Sequence, residues 1–173
     1  MSNPVLDAIA ERRSIRAYKP EQITKEQLDA ILAAAQQSPS ARNSQPWHFT
    51  VVQDAAIIGE VNDEANKILG RTDDIFYAAP TAIFISCDAA ARWSRFDCGI
   101  STQSIAVAAH ALGLGSVILG LPDAAFTGPR GDYFGKLLKF PEGYSFAVAI
   151  AIGIPNTTKD AHPIEPDRVS YIV

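Results

Sequence analysis

Three arginines and a serine lie close together near the start of the chain, in Arg12-Arg13-Ser14-Ile15-Arg16. We call residues 12–16 the arginine segment. A guanidinium offers N–H donors in a fixed planar fork that suits phosphate oxygens, and a serine hydroxyl adds a neutral donor. The same cluster could instead complement the negative end of a helix macrodipole, because it follows an apolar helical pattern. Taken alone, the cluster favours the helix-end interpretation, since charged helix ends are common.

A polar, proline-bounded loop follows, and we call its residues 39–45 the amide loop. Its serine, asparagine and glutamine side chains could hydrogen-bond the polar edge of a heterocycle. The alternative is an ordinary connection between a helix and a strand, with Trp47 packed in the core. On its own, the loop favours that alternative.

Other sequence patterns do not match known dinucleotide-binding, hydrolase or metal-binding motifs. Gly113-x-Gly115 lacks the spacing of a dinucleotide fingerprint and follows a helix instead of a strand. Gly120, at a strand end, could still let a ligand approach the backbone. The dispersed histidines form no hydrolase or metal pattern. Asp97-Cys98 is expected to be a helix cap followed by a small core residue, not a reactive cysteine.

Composition limits the class of protein. The 173 residues suit one domain or one protomer of an intimate oligomer, and 47% are hydrophobic and 20% charged, as in globular proteins. The net charge of -4 argues against nucleic acid or an anionic membrane as a partner. Cys87 and Cys98 form no disulfide framework or metal spacing, so a reducing compartment is expected.

No signal peptide is visible, and the apolar stretch 105–121 is predicted as helix, turn and strand, so we expect a cytoplasmic protein.

The helices that position these residues have local signals. Asn3-Pro4 predicts the start of a helix that ends near Arg13, and Thr24-x-x-Gln27 predicts a capping box. A third helix is expected over 55–69. Asp97 is expected to begin a long helix over 98–112, which Gly113 ends.

Apolar runs predict strands at 49–52, 82–85, 117–119 and 146–152. Residues 121–135 are expected to form a loop or a short lid helix. The tail from 155 is too polar to fold alone and is expected to wrap over a second subunit. Alternating helices and strands predict a mixed central β-sheet with helices on both faces.

The order of several motifs closely resembles the nitroreductase family of FMN-dependent oxidoreductases. They are Arg-Arg-Ser-Ile-Arg, then Pro-Ser-x-x-Asn-x-Gln-Pro-Trp-His-Phe, Phe-Tyr-Ala-Ala-Pro, Asp-Cys before a helix that ends in Leu-Gly-Leu-Gly-Ser, and Ala-Val-Ala-Ile-Ala-Ile-Gly-Ile-Pro. Each motif is modest, but their combination is specific and covers nearly the whole chain. The resemblance implies an α+β, nitroreductase-like fold in an intertwined homodimer. Residues 1–173 would form a single FMN-binding domain, with 155–173 as an extended C-terminal tail.

The resemblance also implies the site. Arg12 and Ser14 would bind the FMN phosphate, and Arg13 would lie at the phosphate or the ring edge. Arg16 would face N1 and O2 of the isoalloxazine, where a guanidinium stabilises the anionic reduced flavin. The other expected contacts are Pro39, Ser40, Ala41, Asn43 and Gln45 from the partner subunit, Leu119 and Gly120 beside the ring, and His162 in the tail.

Two further features of the implied site stay open. The tail offers Lys159, His162 and Arg168 to complete the phosphate site, in no clear register. Asn62, Asn66 and Lys67 are candidates to reach the ring, without a firm alignment. No metal and no catalytic side chain are expected, because N5 of FMN would be the reactive centre.

The implied activity is hydride transfer from NADH or NADPH through FMN to a nitroaromatic, quinone or similar small-molecule acceptor, in a ping-pong cycle. Two alternatives remain. One is an FMN-binding storage or delivery protein with little turnover, and the other is an interaction domain without flavin. The choice between NADH and NADPH is open, because the family stacks the nicotinamide on the flavin without a fingerprint motif.

Overall fold

The computed structural model describes residues 3–172, in which four strands form one sheet. The spatial order is β1-β2-β4-β3, so the last strand lies inside the sheet. The strands are β1 (Trp47–Val52), β2 (Thr81–Asp88), β3 (Gly115–Leu119) and β4 (Tyr144–Gly153).

Six α-helices accompany the sheet within the same residues. None of these helices is both long and apolar enough to cross a bilayer. Two short 3₁₀ helices, Ala41–Asn43 and Pro166–Arg168, lie in the amide loop and in the tail. The α-helices are α1 (Pro4–Glu11), α2 (Lys25–Gln36), α3 (Ala55–Leu69), α4 (Ser94–Ala111), α5 (Asp123–Thr127) and α6 (Gly131–Leu137).

Helices cover both faces of the sheet, as predicted. Side chains alternate along a strand, so Phe84 and Ile85 of β2 point to opposite faces. Phe84 belongs to a buried cluster that includes residues of α3, α5 and α6. Ile85 belongs to a second cluster, with residues of α2 and α4. Both faces are therefore buried, which explains why β2 is apolar on both sides.

The α+β class is confirmed, but the strand directions differ from the predicted mixed sheet. All three strand pairings are antiparallel. The helical connection α4 does join two strands of the same direction, β2 and β3, yet β4 lies between them and pairs antiparallel with both. Within residues 3–172, parallel pairing is confined to an isolated bridge between Ser14 and Ser116.

Local sequence signals correctly predicted where α1 and α2 begin. The Asn3 side chain accepts hydrogen bonds from the amides of Val5 and Leu6, and Thr24 and Gln27 form the predicted capping box. The long helix α4 begins four positions before the sequence suggested, so the prediction that Asp97 caps it is wrong.

The two ends of α4 show why. At the start, the helix follows Trp93 without a side-chain cap, and Asp97 already lies in its first turn. At the end, Gly113 has φ of 76° and donates to the carbonyl of His110, while Leu114 donates to Ala109. This is a Schellman motif, so the predicted role of Gly113 is confirmed.

Candidate functional site

The arginine segment lies beside the first residues of β3. The Ile15 amide donates to the carbonyl of Ser116 at 2.9 Å, and Ser14 forms the parallel bridge with Ser116. This approach favours a glycine at 115, because a Cβ there would lie 3.0 Å from the Cβ of buried Ile15 and one of the two would have to shift. Gly115 is therefore a packing residue, and β3 positions the cluster.

Two cavities adjoin the arginine segment. One, of about 490 Å³, is lined by Arg12, Arg13 and Ser14 together with Lys159 and His162 of the tail. The carboxylate of Asp160 also lines it. The other, of about 300 Å³, shares Arg12, Arg13 and Lys159 and extends to the turn between α4 and β3. The structure thus brings the predicted phosphate residues together with two of the three tail candidates.

The third tail candidate lies apart from both cavities. Arg168 is ion-paired with Glu165 and lines a different surface depression, which it shares with His162. Among the three basic tail residues, Lys159 and His162 are therefore the ones beside Arg12.

Arg12 and Arg13 have different surroundings. Within the described chain the Arg12 side chain has no hydrogen-bond partner, and its Nε is buried. A buried donor without an acceptor costs free energy, which an anion in the cavity would offset. The Nη1 of Arg13 donates to the carbonyls of Ala10 at 2.7 Å and Arg12 at 2.9 Å, at the end of α1. The Nε of Arg13 is also buried without a partner, and Arg13 lines both cavities. The helix-end interpretation therefore accounts for the Nη1 contacts of Arg13, whereas no hydrogen bond in the described chain engages the Arg12 guanidinium.

Arg16 is exposed, and its guanidinium lies 5.7 Å from the centroid of the Tyr77 ring. Tyr77 and Ala78 both have left-handed backbones, with φ of 59° and 53°. The Asp74 carboxylate holds this turn by accepting from the amides of Phe76 at 2.8 Å and Ala78 at 2.6 Å. Sequence reasoning treated Tyr77 only as part of a motif and missed its contact with Arg16.

The amide loop is exposed, and its backbone is unusual. Arg42, Asn43 and Gln45 have φ of 55°, 56° and 47°, although none is glycine. The Ser40 hydroxyl accepts from the Gln45 amide at 2.9 Å, and the Gln45 side chain donates to Asn43 Oδ1 at 3.1 Å. Such strained conformations persist where the surroundings fix them, and they concentrate at functional sites. The loop therefore presents two ordered amide side chains to solvent.

Within one chain, the amide loop and the arginine segment lie at opposite edges of the sheet. The loop enters β1, whereas Ser14 bridges to β3, and three strand spacings of roughly 14 Å in total separate these edges. They also lie towards opposite ends of β2. Trp47, next to the amide loop, pairs with Cys87 near the end of β2. Ser116, next to the arginine segment, pairs with Ile152, which in turn pairs with Thr81 at the start of β2. A single protomer does not bring the two sets of residues together.

Asn62, Asn66 and Lys67 lie on α3. The two asparagines are engaged in the turn that follows this helix. Asn62 Oδ1 accepts from the amide of Ile75 at 3.0 Å, and Asn66 Nδ2 donates to the carbonyl of Asp73 at 2.6 Å. Lys67 is exposed. The asparagines therefore order the segment that carries Tyr77.

Leu119 and Gly120 lie at the far end of the edge strand β3. Leu119 is buried, whereas Gly120 is exposed, and a Cβ at Gly120 would meet nothing within 4 Å. The backbone at Gly120 is therefore open to the approach of a flat ligand.

Burial keeps two of the titratable side chains, Cys98 and Tyr18, in their neutral forms. Burial raises the pKa of the Cys98 thiol to about 12, so it is protonated at neutral pH. Burial also raises the pKa of Tyr18, whose hydroxyl donates to the carbonyl of Ile15 at 2.6 Å. Within residues 3–172, no three histidine, cysteine or carboxylate side chains come together as metal ligands.

Fold and site together define an α+β protein with a cation-lined cavity at one edge of its sheet and a strained amide loop at the other. The chain belongs to the nitroreductase family, whose family model matches residues 9–154. The resemblance inferred from the motifs is thereby confirmed.

Individual relatives span nearly the whole chain. A protein from Methanothermobacter thermautotrophicus, named provisionally as an NADH dehydrogenase/NAD(P)H nitroreductase, is 34% identical over 171 residues, which cover 95% of this chain and 85% of its own length. A nitroreductase with bound FMN from Desulfitobacterium hafniense DCB-2 superposes with a TM-score of 0.92 at 37% identity, over all of both chains. An FMN-dependent nitroreductase from Clostridium difficile R20291 has a TM-score of 0.88 at 32% identity, over 99% of this chain and 100% of its own.

Proposed function

We propose that the protein is an FMN-dependent oxidoreductase. The main observation in support of this proposal is the buried Nε of Arg12, which has no hydrogen-bond partner in the described chain. Arg12 lines a cavity together with Ser14, Lys159 and His162. Two permanent cations, an imidazole and a hydroxyl match a phosphate dianion, which accepts several charge-assisted hydrogen bonds. These four residues would therefore hold the phosphate of FMN, in line with the FMN-bound structural relative.

Bound FMN supplies hydride acceptance and donation at its N5 atom, and the protein supplies binding, orientation and electrostatics. Arg16 carries a permanent positive charge. We place it at the N1 and O2 edge, where it would stabilise the negative charge of the reduced flavin. The open backbone of Gly120 would accommodate the ring. No side chain of the protein is required as nucleophile or general acid.

We place NADH or NADPH as the electron donor and a nitroaromatic or quinone as the acceptor. Both would use the same face of the flavin in turn, which makes the cycle ping-pong. The name of the relative from Methanothermobacter thermautotrophicus supports this choice of donor and of a nitro acceptor.

We further propose a homodimer in which each flavin is bound by two subunits. One subunit would contribute the arginine segment and tail, and the other the amide loop, with Pro39, Ser40, Ala41, Asn43 and Gln45. The separation of the two sets within one chain supports this arrangement. Apolar side chains exposed on α1 and on the tail offer contact area: Val5, Leu6, Ile9, Ile164, Val169, Tyr171 and Ile172.

The visible spectrum of the purified protein tests the proposal. FMN absorption is expected before reduction, and anaerobic NADH or NADPH should bleach it. A nitroaromatic or quinone should then restore the absorption and sustain steady-state turnover. A protein that neither contains nor takes up FMN would refute the proposal. Bound FMN with negligible turnover would instead indicate a storage or delivery protein.

A further inference from the structure

Asp97 is a buried carboxylate that the proposed flavin contacts do not include. It is 4% exposed and lies in the first turn of α4. Its Oδ1 accepts from the backbone amide of Ala41 at 3.0 Å. Its Oδ2 is buried and has no partner among residues 3–172.

A carboxylate with one hydrogen bond is expensive to bury. Helix capping does not explain its presence, because α4 has no side-chain cap and begins at Ser94. The positive end of the α4 macrodipole stabilises part of the negative charge of Asp97, but an exposed acidic residue in the first turn would gain the same stabilisation, so the dipole does not explain the burial. The contact with Ala41 is therefore the interaction that accounts for an aspartate at this position.

Ala41 is the point at which the amide loop changes conformation. Ser40 before it is extended, with φ of -141° and ψ of 156°, and Arg42 after it is left-handed. The other hydrogen bonds found within residues 39–45 join members of the loop to one another. Within the described chain, the bond from Ala41 to Asp97 is the one that connects these residues to another element.

We propose that Asp97 is a positioning residue for the flavin. It fixes Ala41 against α4 and so sets the left-handed turn that orients the Asn43 and Gln45 side chains. This inference rests on the proposed function, in which those two side chains contact the isoalloxazine of the partner subunit. Asp97 itself does not touch the flavin.

Four variants separate positioning from general stability. Asp97→Ala and Asp97→Leu remove the acceptor, and the leucine also fills the volume of the lost carboxylate. Asp97→Asn keeps an oxygen for the Ala41 amide. Ser101→Ala is the matched control, because the Ser101 hydroxyl lies one turn further along α4 and donates at 3.0 Å to the carbonyl of Ala35 in α2, outside residues 39–45.

Two measurements apply to each variant: amide hydrogen exchange of residues 40–45 in FMN-free protein, and the Kd for added FMN. Loss of a hydrogen bond to a charged group should raise both the exchange rate and the Kd about tenfold or more in the alanine and leucine variants. Asp97→Asn should stay within about threefold of wild type. Ser101→Ala should lower thermal stability and leave both readouts at wild-type values.

Unchanged exchange in the alanine and leucine variants would overturn the proposed link between Asp97 and the loop. Faster exchange with an unchanged Kd would overturn its positioning role for the flavin. A wild-type protein that takes up no FMN would refute the proposed function, while the exchange measurement would still decide whether Asp97 holds the loop.

Discussion

Arg12 and Arg13 each have a buried Nε–H without an acceptor, but Arg13 also donates through Nη1 to the carbonyls of Ala10 and Arg12 at the end of α1. We therefore expect Arg12→Ala to raise the Kd for FMN about tenfold or more, through loss of a charged phosphate contact. Arg13→Ala should mainly lower the unfolding temperature of FMN-free protein, because it removes bonds at the helix end. FMN titration and thermal unfolding of both variants test this, and equal losses of FMN affinity would contradict it.

Arg16 is the residue we expect to tune the flavin. Removing its charge should make the reduced flavin less stable and lower the midpoint potential of bound FMN, by about 30 mV for a tenfold effect on a two-electron couple. Arg16→Lys should keep most of the wild-type potential. Lys19→Ala is a matched control, since Lys19 is an exposed cation three positions away. An Arg16→Ala protein that retains FMN and the wild-type potential would show that Arg16 does not act on the flavin.

Among the secondary-structure elements, the sequence best predicted the helix ends that are set by residues within about one helical turn. The caps at Asn3 and Thr24 and the turn at Gly113 each need only a few adjacent residues, so their signals are visible in the sequence. The position of β4 between β2 and β3 was not predictable, because it depends on pairings between distant segments. Asp97 was misread for the same reason, since its partner Ala41 is remote in sequence.

The residues of the candidate site likewise fall into those that local motifs predict and those that only the folded chain identifies. The motif order predicted Arg12, Ser14 and the amide loop as site residues. Only the folded chain distinguishes Lys159 and His162 from Arg168, because all three are basic residues in an irregular tail. Tyr77 was missed because a tyrosine within an apolar motif is usually a packing residue.

The contact between the arginine segment and β3 depends on Gly115. In Gly115→Ala, the added methyl would meet the Ile15 side chain at 3.0 Å, so we expect a loss of about 1–3 kcal/mol in stability and weaker FMN binding. Gly59→Ala is the control, because its Cβ would meet nothing within 4 Å and alanine favours the helix by about 0.5–1 kcal/mol. Urea unfolding of FMN-free protein should give effects of opposite sign. A Gly115→Ala protein as stable as wild type would show that the close approach is not needed.

Helix α3 forms an ion pair with Arg130, the residue directly before α6, and the strength of this pair should depend on pH. Arg130 donates to Glu60 at 2.6 Å and Tyr133 donates at 3.1 Å, and the hydrogen bond from Arg130 is the main cause that lowers the pKa of Glu60. A carboxyl with a depressed folded-state pKa stabilises the fold above its unfolded pKa, and the contribution disappears as pH falls through the folded value. Glu60→Gln should therefore be less stable than wild type near pH 7, and the difference should shrink as the pH falls through the lowered pKa of Glu60.

Urea midpoints across this pH range measure that difference. Glu21→Gln provides the comparison, because Glu21 is exposed and has no side-chain partner in the described part of the chain. Its midpoint should follow that of wild type at every pH. A gap between wild type and Glu60→Gln that persists at low pH would show that the ion pair is not its cause.

At the scale of the whole molecule, the exposed apolar surface agrees with a second subunit. Ile164 is 91% exposed and Ile172 is 100% exposed, although isoleucine is among the residues most often buried. Both lie in the tail, which also contributes Lys159 and His162 to the cavity beside the arginine segment. A partner that covers this tail would therefore stabilise the cation cluster as well as bury apolar area. Under this arrangement, dimer formation and FMN binding reinforce each other.

Mixed dimers test whether two subunits share each flavin. One variant, Arg12→Ala with Ser14→Ala, lacks the proposed phosphate contacts, and a second, Asn43→Ala with Gln45→Ala, lacks the proposed ring contacts. If each site combines the arginine segment of one subunit with the amide loop of the other, a heterodimer has one site with all substitutions and one intact site. Refolding an equimolar mixture gives heterodimers in half of the molecules, so about a quarter of the wild-type FMN content is expected. Each variant refolded alone should bind little FMN, and a mixture that binds no more than its components would place both halves of the site in one chain.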